Sequence, residues 1–201
     1  MGFTAIFGGT FNPFHIGHYE MLSALQEDES IDKILIMPDK IPPHKVCDFM
    51  ADDETRIEMC RIAASDFSKA EVCLIEFERT GKSYTFDTVN LLKEKHPNEN
   101  FVFVCGGDML VYFPKWYKYE ELMKLIPFIA FRRSDTDNYL FDNSVVTFRN
   151  MGMYITVNEK IIPAISSTEI RNDFNKNKDL IPEKIYQFLL VRGVYVEQRK
   201  D

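Results

Sequence analysis

Residues 8–18 read Gly8-Gly9-Thr10-Phe11-Asn12-Pro13-Phe14-His15-Ile16-Gly17-His18, and no other stretch restricts the fold so strongly. It follows a short apolar run, residues 3–7, of the kind that forms a buried strand. It precedes a helical pattern with Met21, Leu22 and Leu25 on one side. The order is strand, tight turn, helix start. Gly8 and Gly9 carry no Cβ, so they are expected to let the backbone turn sharply and a ligand approach it. A helix N-terminus offers free N–H groups and a partial positive charge, which suit a phosphate. His15 and His18 lie three apart, which predicts both on one face of the first helical turn. Amides, imidazoles and a glycine turn together suit a polyphosphate. No third Cys or His lies nearby, which argues against zinc. The G-x-G-x-x-G spacing of a dinucleotide-binding turn is absent.

The rest of the chain alternates strand and helix patterns. Residues 31–37 read as a second strand, followed by a stiff loop through Pro42 and Pro43. Residues 52–65 carry a helical stripe of Ile57, Cys60, Ala63 and Ala64. Residues 70–77 read as a third strand, 78–85 as a polar turn and 86–95 as a helix. Residues 101–105, almost wholly apolar, predict a central strand ending in Gly106-Gly107-Asp108. A short helix at 120–125 and a fifth strand at 126–131 follow, the strand ending at Arg132-Arg133. Residues 139–150 are ambiguous; 153–157 read as a short strand, and 166–175 and 182–191 as closing helices. Gly81-Lys82-Ser83 is no phosphate loop, because Glu76 stands where that motif needs Gly.

Such alternation predicts an α/β fold, a doubly wound parallel sheet ordered 3-2-1-4-5 with C-terminal helices. Strands one and four would then be neighbours, with their glycine-rich ends facing one crevice. The 201 residues suit one domain spanning 1–201. A formal charge of −7 argues against a nucleic-acid-binding surface, so phosphate must be held by a local pocket. Cys47, Cys60, Cys73 and Cys105 form no C-x-x-C pair, which suits a reducing cytoplasm without disulfides. No membrane span or signal peptide is read, and the sequence leaves a homo-oligomer open.

Near the C-terminus stands Ile165-Ser166-Ser167-Thr168-Glu169-Ile170-Arg171. Ser166 and Glu169 have capping-box spacing, so Ser166 is the expected N-cap. Ser167 and Thr168 then begin a helix, and Arg171 shares a face with Ser167. This is a second anion site.

The first string, G-x-F-x-P-x-H-x-G-H, resembles the nucleotidyltransferase superfamily, and I-S-S-T-x-I-R resembles its partner motif. Four further stretches resemble the bacterial nicotinate-nucleotide adenylyltransferases. They are Pro42-Pro43-His44-Lys45, the run from Gly81 through Ser83-Tyr84-Thr85 to Thr88, Gly107-Asp108 followed by Trp116, and Pro182 with Val194-Tyr195. The resemblance runs from residue 2 to about 195 and implies a Rossmann-like nucleotidyltransferase fold. Two positions depart from it. Asn12 stands where the family usually has Asp, and Arg132-Arg133-Ser134 stands where Arg-Pro-Gly is expected.

The resemblance implies transfer of AMP from ATP to nicotinate mononucleotide, yielding the deamido dinucleotide and pyrophosphate in NAD biosynthesis. The catalytic residues it implies are His15, His18 and Arg171. Gly8, Gly9, Thr10, Phe11, Gly106, Asp108, Ile165, Ser166, Ser167 and Thr168 would join them around ATP. Lys45, Ser83, Tyr84, Thr85, Trp116 and Arg133, again with Asp108, would receive the acceptor. The resemblance also implies Mg²⁺, expected to ride on ATP with few protein ligands. Other readings are an adenylyltransferase for another phosphate acceptor, nicotinamide mononucleotide or phosphopantetheine, and a nucleotide-binding regulator without turnover.

Overall fold

The computed structural model describes residues 2–42, 49–135 and 137–195. Its centre is a six-stranded sheet: β1 (Phe3–Gly9), β2 (Ile31–Pro38), β3 (Ala70–Val72), β4 (Phe101–Gly106), β5 (Phe128–Arg133) and β6 (Ile155–Ile162). The order is β3-β2-β1-β4-β5-β6, and every pairing is parallel. The expected order is therefore observed, with β6 added at the edge. β1 and β4 pair side by side through Thr4, Ala5 and Ile6, which opens the crevice at their carboxyl ends.

Both faces of the sheet are covered, so its inner strands are apolar throughout. Successive side chains alternate between faces. Ala5, Phe7, Ile34, Ile36, Val102 and Val104 pack with α1 (Ile16–Glu27), α2 (Asp53–Ala64) and α8 (Glu183–Arg192). Ile6, Leu35, Phe103 and Cys105 pack on the other face with α3 (Thr85–Lys95), α4 (Gly107–Tyr112), α5 (Tyr119–Leu125) and α6 (Asn138–Asn150). The last helix in this count, α7 (Ser167–Asn172), follows β6.

Local chemistry sets the helix starts. The Asp52 carboxylate accepts from the Thr55 amide at 2.7 Å, and Asp53 and Glu54 stand in the first turn of α2. Asp137 caps α6 in the same way, accepting from Leu140, which resolves the ambiguous stretch as a helix. Gly193 ends α8 at φ 68, a left-handed conformation that glycine adopts without steric cost.

α4 was not expected, β5 lies two residues beyond the expected 126–131, and three further boundaries differ. The third strand stops at Val72, and Ile75–Glu78 forms a 3₁₀ turn with Ile75 and Glu76 buried. A short apolar run fits a buried turn as well as a strand, and β3 has only one neighbour to extend it. β6 runs to Ile162 rather than 157, because an edge strand buries little and tolerates Glu159 and Lys160. α7 ends at Asn172 rather than 175, and Phe174 leaves it to pack in the core.

Candidate active site

The turn after β1 is not made by its glycines. Gly8 and Gly9 are the last residues of the strand. The chain turns instead at Phe11, at φ 48, and at a cis bond between Asn12 and Pro13. Phe11 is held in that left-handed conformation by burial and by stacking on Phe14, with centroids 4.9 Å apart. Gly9 serves packing: a Cβ there would stand 2.9 Å from the Phe11 ring. A Cβ on Gly8 would make only ordinary contacts.

His15 is the N-cap of α1, and His18 is its third helical residue. His15 Nδ1 accepts from the His18 amide at 3.4 Å, and His18 Nδ1 accepts from the His15 amide at 3.2 Å. This is a capping box built from two imidazoles. Their rings stack at 3.7 Å and 19°. A nitrogen that accepts a hydrogen bond carries no proton, so in both neutral rings the proton sits on Nε2. Each histidine is thereby made a donor at its outer nitrogen.

The second anion motif is docked onto this turn. Ser166 caps α7, accepting from the amides of Thr168 and Glu169 at 3.2 and 3.3 Å. The returning Glu169 bond of a full capping box is absent among the described residues. The Ser167 hydroxyl donates to the Pro13 carbonyl at 2.9 Å. Arg171 donates to the Asn12 carbonyl at 2.6 Å and to the Thr168 hydroxyl at 3.1 Å. Two segments about 150 residues apart in sequence thus form one cradle.

Behind the cradle lies Arg56, fully buried on α2. Its guanidinium donates to the carbonyls of Thr10 at 3.1 Å and Asp39 at 2.7 Å, and pairs with Asp53 at 2.5 Å. It stitches the ends of β1 and β2 together. The Thr10 hydroxyl adds a bond to the Asp39 carboxylate at 3.3 Å.

Beyond β4, a Cβ on Gly106 would meet the Asp108 carboxylate at 2.7 Å, so glycine lets that side chain fold back. Arg133 approaches Asp108 at 3.4 Å and donates to the Ile165 carbonyl at 3.0 Å. Arg132 turns away, donating to Asn138 and Asp142 over the Phe141 ring. Of the two arginines only Arg133 lines the crevice. Burial, and secondarily Asp108, pushes the Cys105 thiol up to about 12, so it is wall rather than nucleophile.

At the far end, α3 begins at Thr85 with no side-chain cap, leaving its first amides for a ligand. The Ser83 oxygen accepts from the amides of Lys40 and Ile41 at 3.1 and 3.2 Å, so Ser83 is framework as well as wall. Glu76 is buried against the Thr88 hydroxyl, which accepts from Arg79 at 3.0 Å. Trp116 meets Phe103 and Phe113 in edge contacts, and its buried indole N–H has no acceptor among the described residues.

One cavity of about 430 Å³ brings these groups together. Gly8, Gly9, Thr10, Phe11, His15 and His18 of the first motif and Ile165, Ser166, Ser167, Thr168 and Arg171 of the second line it, as do Gly106, Asp108, Arg133, Ser83, Tyr84, Thr85 and Trp116. Lys45 lies outside the described residues. Sequence reasoning missed Asp39 and Glu76, which also line it. Asp39 directly follows β2, and the rule that ligands bind at strand carboxyl ends could have found it. Glu76 was hidden by the strand reading of 70–77.

Two helix starts facing one cavity at the carboxyl edge of a parallel sheet are the arrangement that suits a nucleotide-binding α/β protein. The family model described as cytidylyltransferase-like matches residues 6–173. The chain is 39% identical over 197 residues to the nicotinate-nucleotide adenylyltransferase of Bacillus subtilis (strain 168), covering 94% of this chain and 96% of that one. It is 37% identical over 190 residues to a Listeria welshimeri protein described as a probable nicotinate-nucleotide adenylyltransferase, covering 94% and 95%. In fold it is similar to the Plasmodium falciparum nicotinic acid mononucleotide adenylyltransferase complexed with NaAD. That likeness has a TM-score of 0.78 at 21% identity over 98% of both chains. The chain belongs to the cytidylyltransferase-like family and, within it, to the nicotinate-nucleotide adenylyltransferases.

Proposed function

We propose that this chain transfers AMP from ATP to nicotinate mononucleotide, forming the deamido dinucleotide and pyrophosphate in NAD biosynthesis. The observation that carries the reading is the docking of Ser167 and Arg171 onto the carbonyls of Pro13 and Asn12, which makes one cradle beside His15 and His18. A triphosphate would lie with its α-phosphorus by the histidine Nε2 donors and its β- and γ-phosphates at the N-terminus of the second motif. Gly106 and Asp108 would face ribose hydroxyls. The uncapped start of α3, with Trp116 beside it, would receive the pyridine ring. Arg133 faces the crevice where the acceptor phosphate must approach, and Lys45 is assigned to that phosphate on resemblance alone.

The acceptor phosphate is already an anion near neutral pH, so its attack on the α-phosphorus needs no general base. Catalysis then reduces to alignment and to donors placed where charge develops. The residues on the cavity wall are of that kind. Magnesium fits as a companion of the nucleotide. Among the described residues no group of three or more His, Cys, Asp or Glu side chains gathers, and Asp39, Glu76 and Asp108 each have a protein partner. Carried in with the nucleotide, the ion would supply charge neutralisation for the leaving pyrophosphate.

No helix among the described residues is long and apolar enough to cross a membrane. The thiols of Cys60, Cys73 and Cys105 are free, which suits the reducing cytoplasm where NAD is made.

Incubating the protein with Mg-ATP and a panel of phosphate acceptors, then weighing the products, tests the reading. The deamido dinucleotide with release of pyrophosphate is the expected outcome. A dinucleotide from nicotinamide mononucleotide or phosphopantetheine instead would reassign the acceptor. Absence of pyrophosphate with every acceptor would leave a nucleotide-binding regulator.

A further inference from the structure

The proposed reaction makes no use of Tyr195, the last described residue. Its φ is 66, a left-handed conformation that a bulky residue adopts only where its surroundings impose it. The surroundings do so. Its ring lies 5.7 Å from Phe174 and meets Phe49 edge-on at 5.5 Å. Its hydroxyl donates to Oδ1 of Asn12, across 183 residues of chain.

Asn12 is itself buried, and its side-chain amide both accepts and donates. Its Oδ1 also accepts from the Ala51 amide at 3.0 Å, and its Nδ2 donates to the Phe49 carbonyl at 3.0 Å. An amide oxygen has two lone pairs, and Ala51 and Tyr195 occupy both. The backbone carbonyl of the same residue is the acceptor for Arg171. The side chain that anchors Asn12 and the carbonyl that orients Arg171 thus belong to one residue.

We propose that Tyr195 is a positioning residue for the phosphate clamp. Its hydroxyl completes the set of bonds that fixes Asn12, and Asn12 in turn presents its carbonyl to Arg171. Without that hydroxyl one buried lone pair of the amide is unmatched, Asn12 rotates to satisfy it, and the carbonyl under Arg171 shifts. The inference rests on the reading of Arg171 as a pyrophosphate clamp.

Tyr195→Phe keeps both ring contacts and removes only the hydroxyl. Calorimetric titration with inorganic pyrophosphate and with ATP should show affinity about fivefold weaker, the size of one net hydrogen bond. Nicotinate mononucleotide affinity should be unchanged. In an Arg171→Ala background the same change should cost nothing more, because the two act in series. A merely structural tyrosine would give additive losses. Loss in Arg171→Ala with none in Tyr195→Phe, or additive losses, overturns the inference alone. Normal pyrophosphate binding by Arg171→Ala removes the clamp reading, and the inference with it.

Discussion

His15 and His18 hold each other in a single tautomer by trading backbone amides for ring nitrogens. Their Nε2 protons need no reorganisation when negative charge grows on a transferring phosphoryl group, which is where a preorganised donor contributes most. His18→Ala should therefore lower kcat more than it raises KM for ATP, by about 10²–10³-fold. Steady-state kinetics on the folded variant decide this; near-normal kcat would remove His18 from the chemistry. The histidine spacing was legible in the sequence because a first helical turn sets it. Their mutual capping was not, since Ser, Thr, Asp and Asn are the usual N-caps. The turn was misread for a related reason. A left-handed Phe11 is imposed by ring packing on Phe14, and no local preference of phenylalanine signals it. Asn12 sits in the turn, and its amide is also a buried junction of three segments, which no local pattern displays.

The starts of α1, α3 and α7 all face the same cavity. The start of α3 should set acceptor choice. Its first amides and the Thr85 hydroxyl are donors, so a ring carboxylate is satisfied there, while a carboxamide NH₂ would face donors. Mispairing one polar group costs about 1–3 kcal/mol, so kcat/KM should favour nicotinate over nicotinamide mononucleotide by at least about tenfold to a hundredfold. Comparing the two under saturating Mg-ATP measures it, and equal values would mean that α3 is not aimed at the ring. Elsewhere, helices are tied by charge. Asp66 accepts from Lys184 of α8 and from Tyr19 of α1, and these bonds hold its carboxyl below the ordinary range. A depressed folded pKa stabilises above the unfolded value and is lost as pH falls through the folded one. The pair is largely exposed, so the contribution is at most about 1 kcal/mol. Asp66→Asn should lower Tm slightly at pH 7 and not at pH 2, as a melting series across that range would show; an equal drop at both would mean the tie is not electrostatic. Most helix positions were legible because caps and apolar stripes are local; α4, which begins directly at Gly107 with no capping side chain among the described residues, was not. β3 and β6 were not, because an edge strand is defined by neighbours that sequence does not display.

The strand order followed from alternation and handedness alone, so the sheet was legible before any distance was known. What the sequence could not display is how the chain's two ends close on each other. β1 is central in the sheet, and the turn behind it receives Arg171 and Ser167 from α7 and Tyr195 from beyond α8. A ligand gripped by both motifs can bind only when both ends of the chain are folded. The two packed faces share one sheet, which argues for a single cooperative unit among the described residues. Calorimetry should then show one unfolding transition, with van't Hoff and calorimetric enthalpies equal. Mg-ATP at about 100 times its Kd stabilises the folded state by about 2.7 kcal/mol. For a chain of this size that moves Tm by roughly 5–10 °C, at about 2–4 °C per kcal/mol. The whole transition should move, without a shoulder. Arg171→Ala should shrink the shift at the same nucleotide concentration, because one half of the grip is gone. Two resolved transitions, with ATP moving only one, would place the clamp within a part of the chain that folds on its own and would contradict the cross-chain cradle.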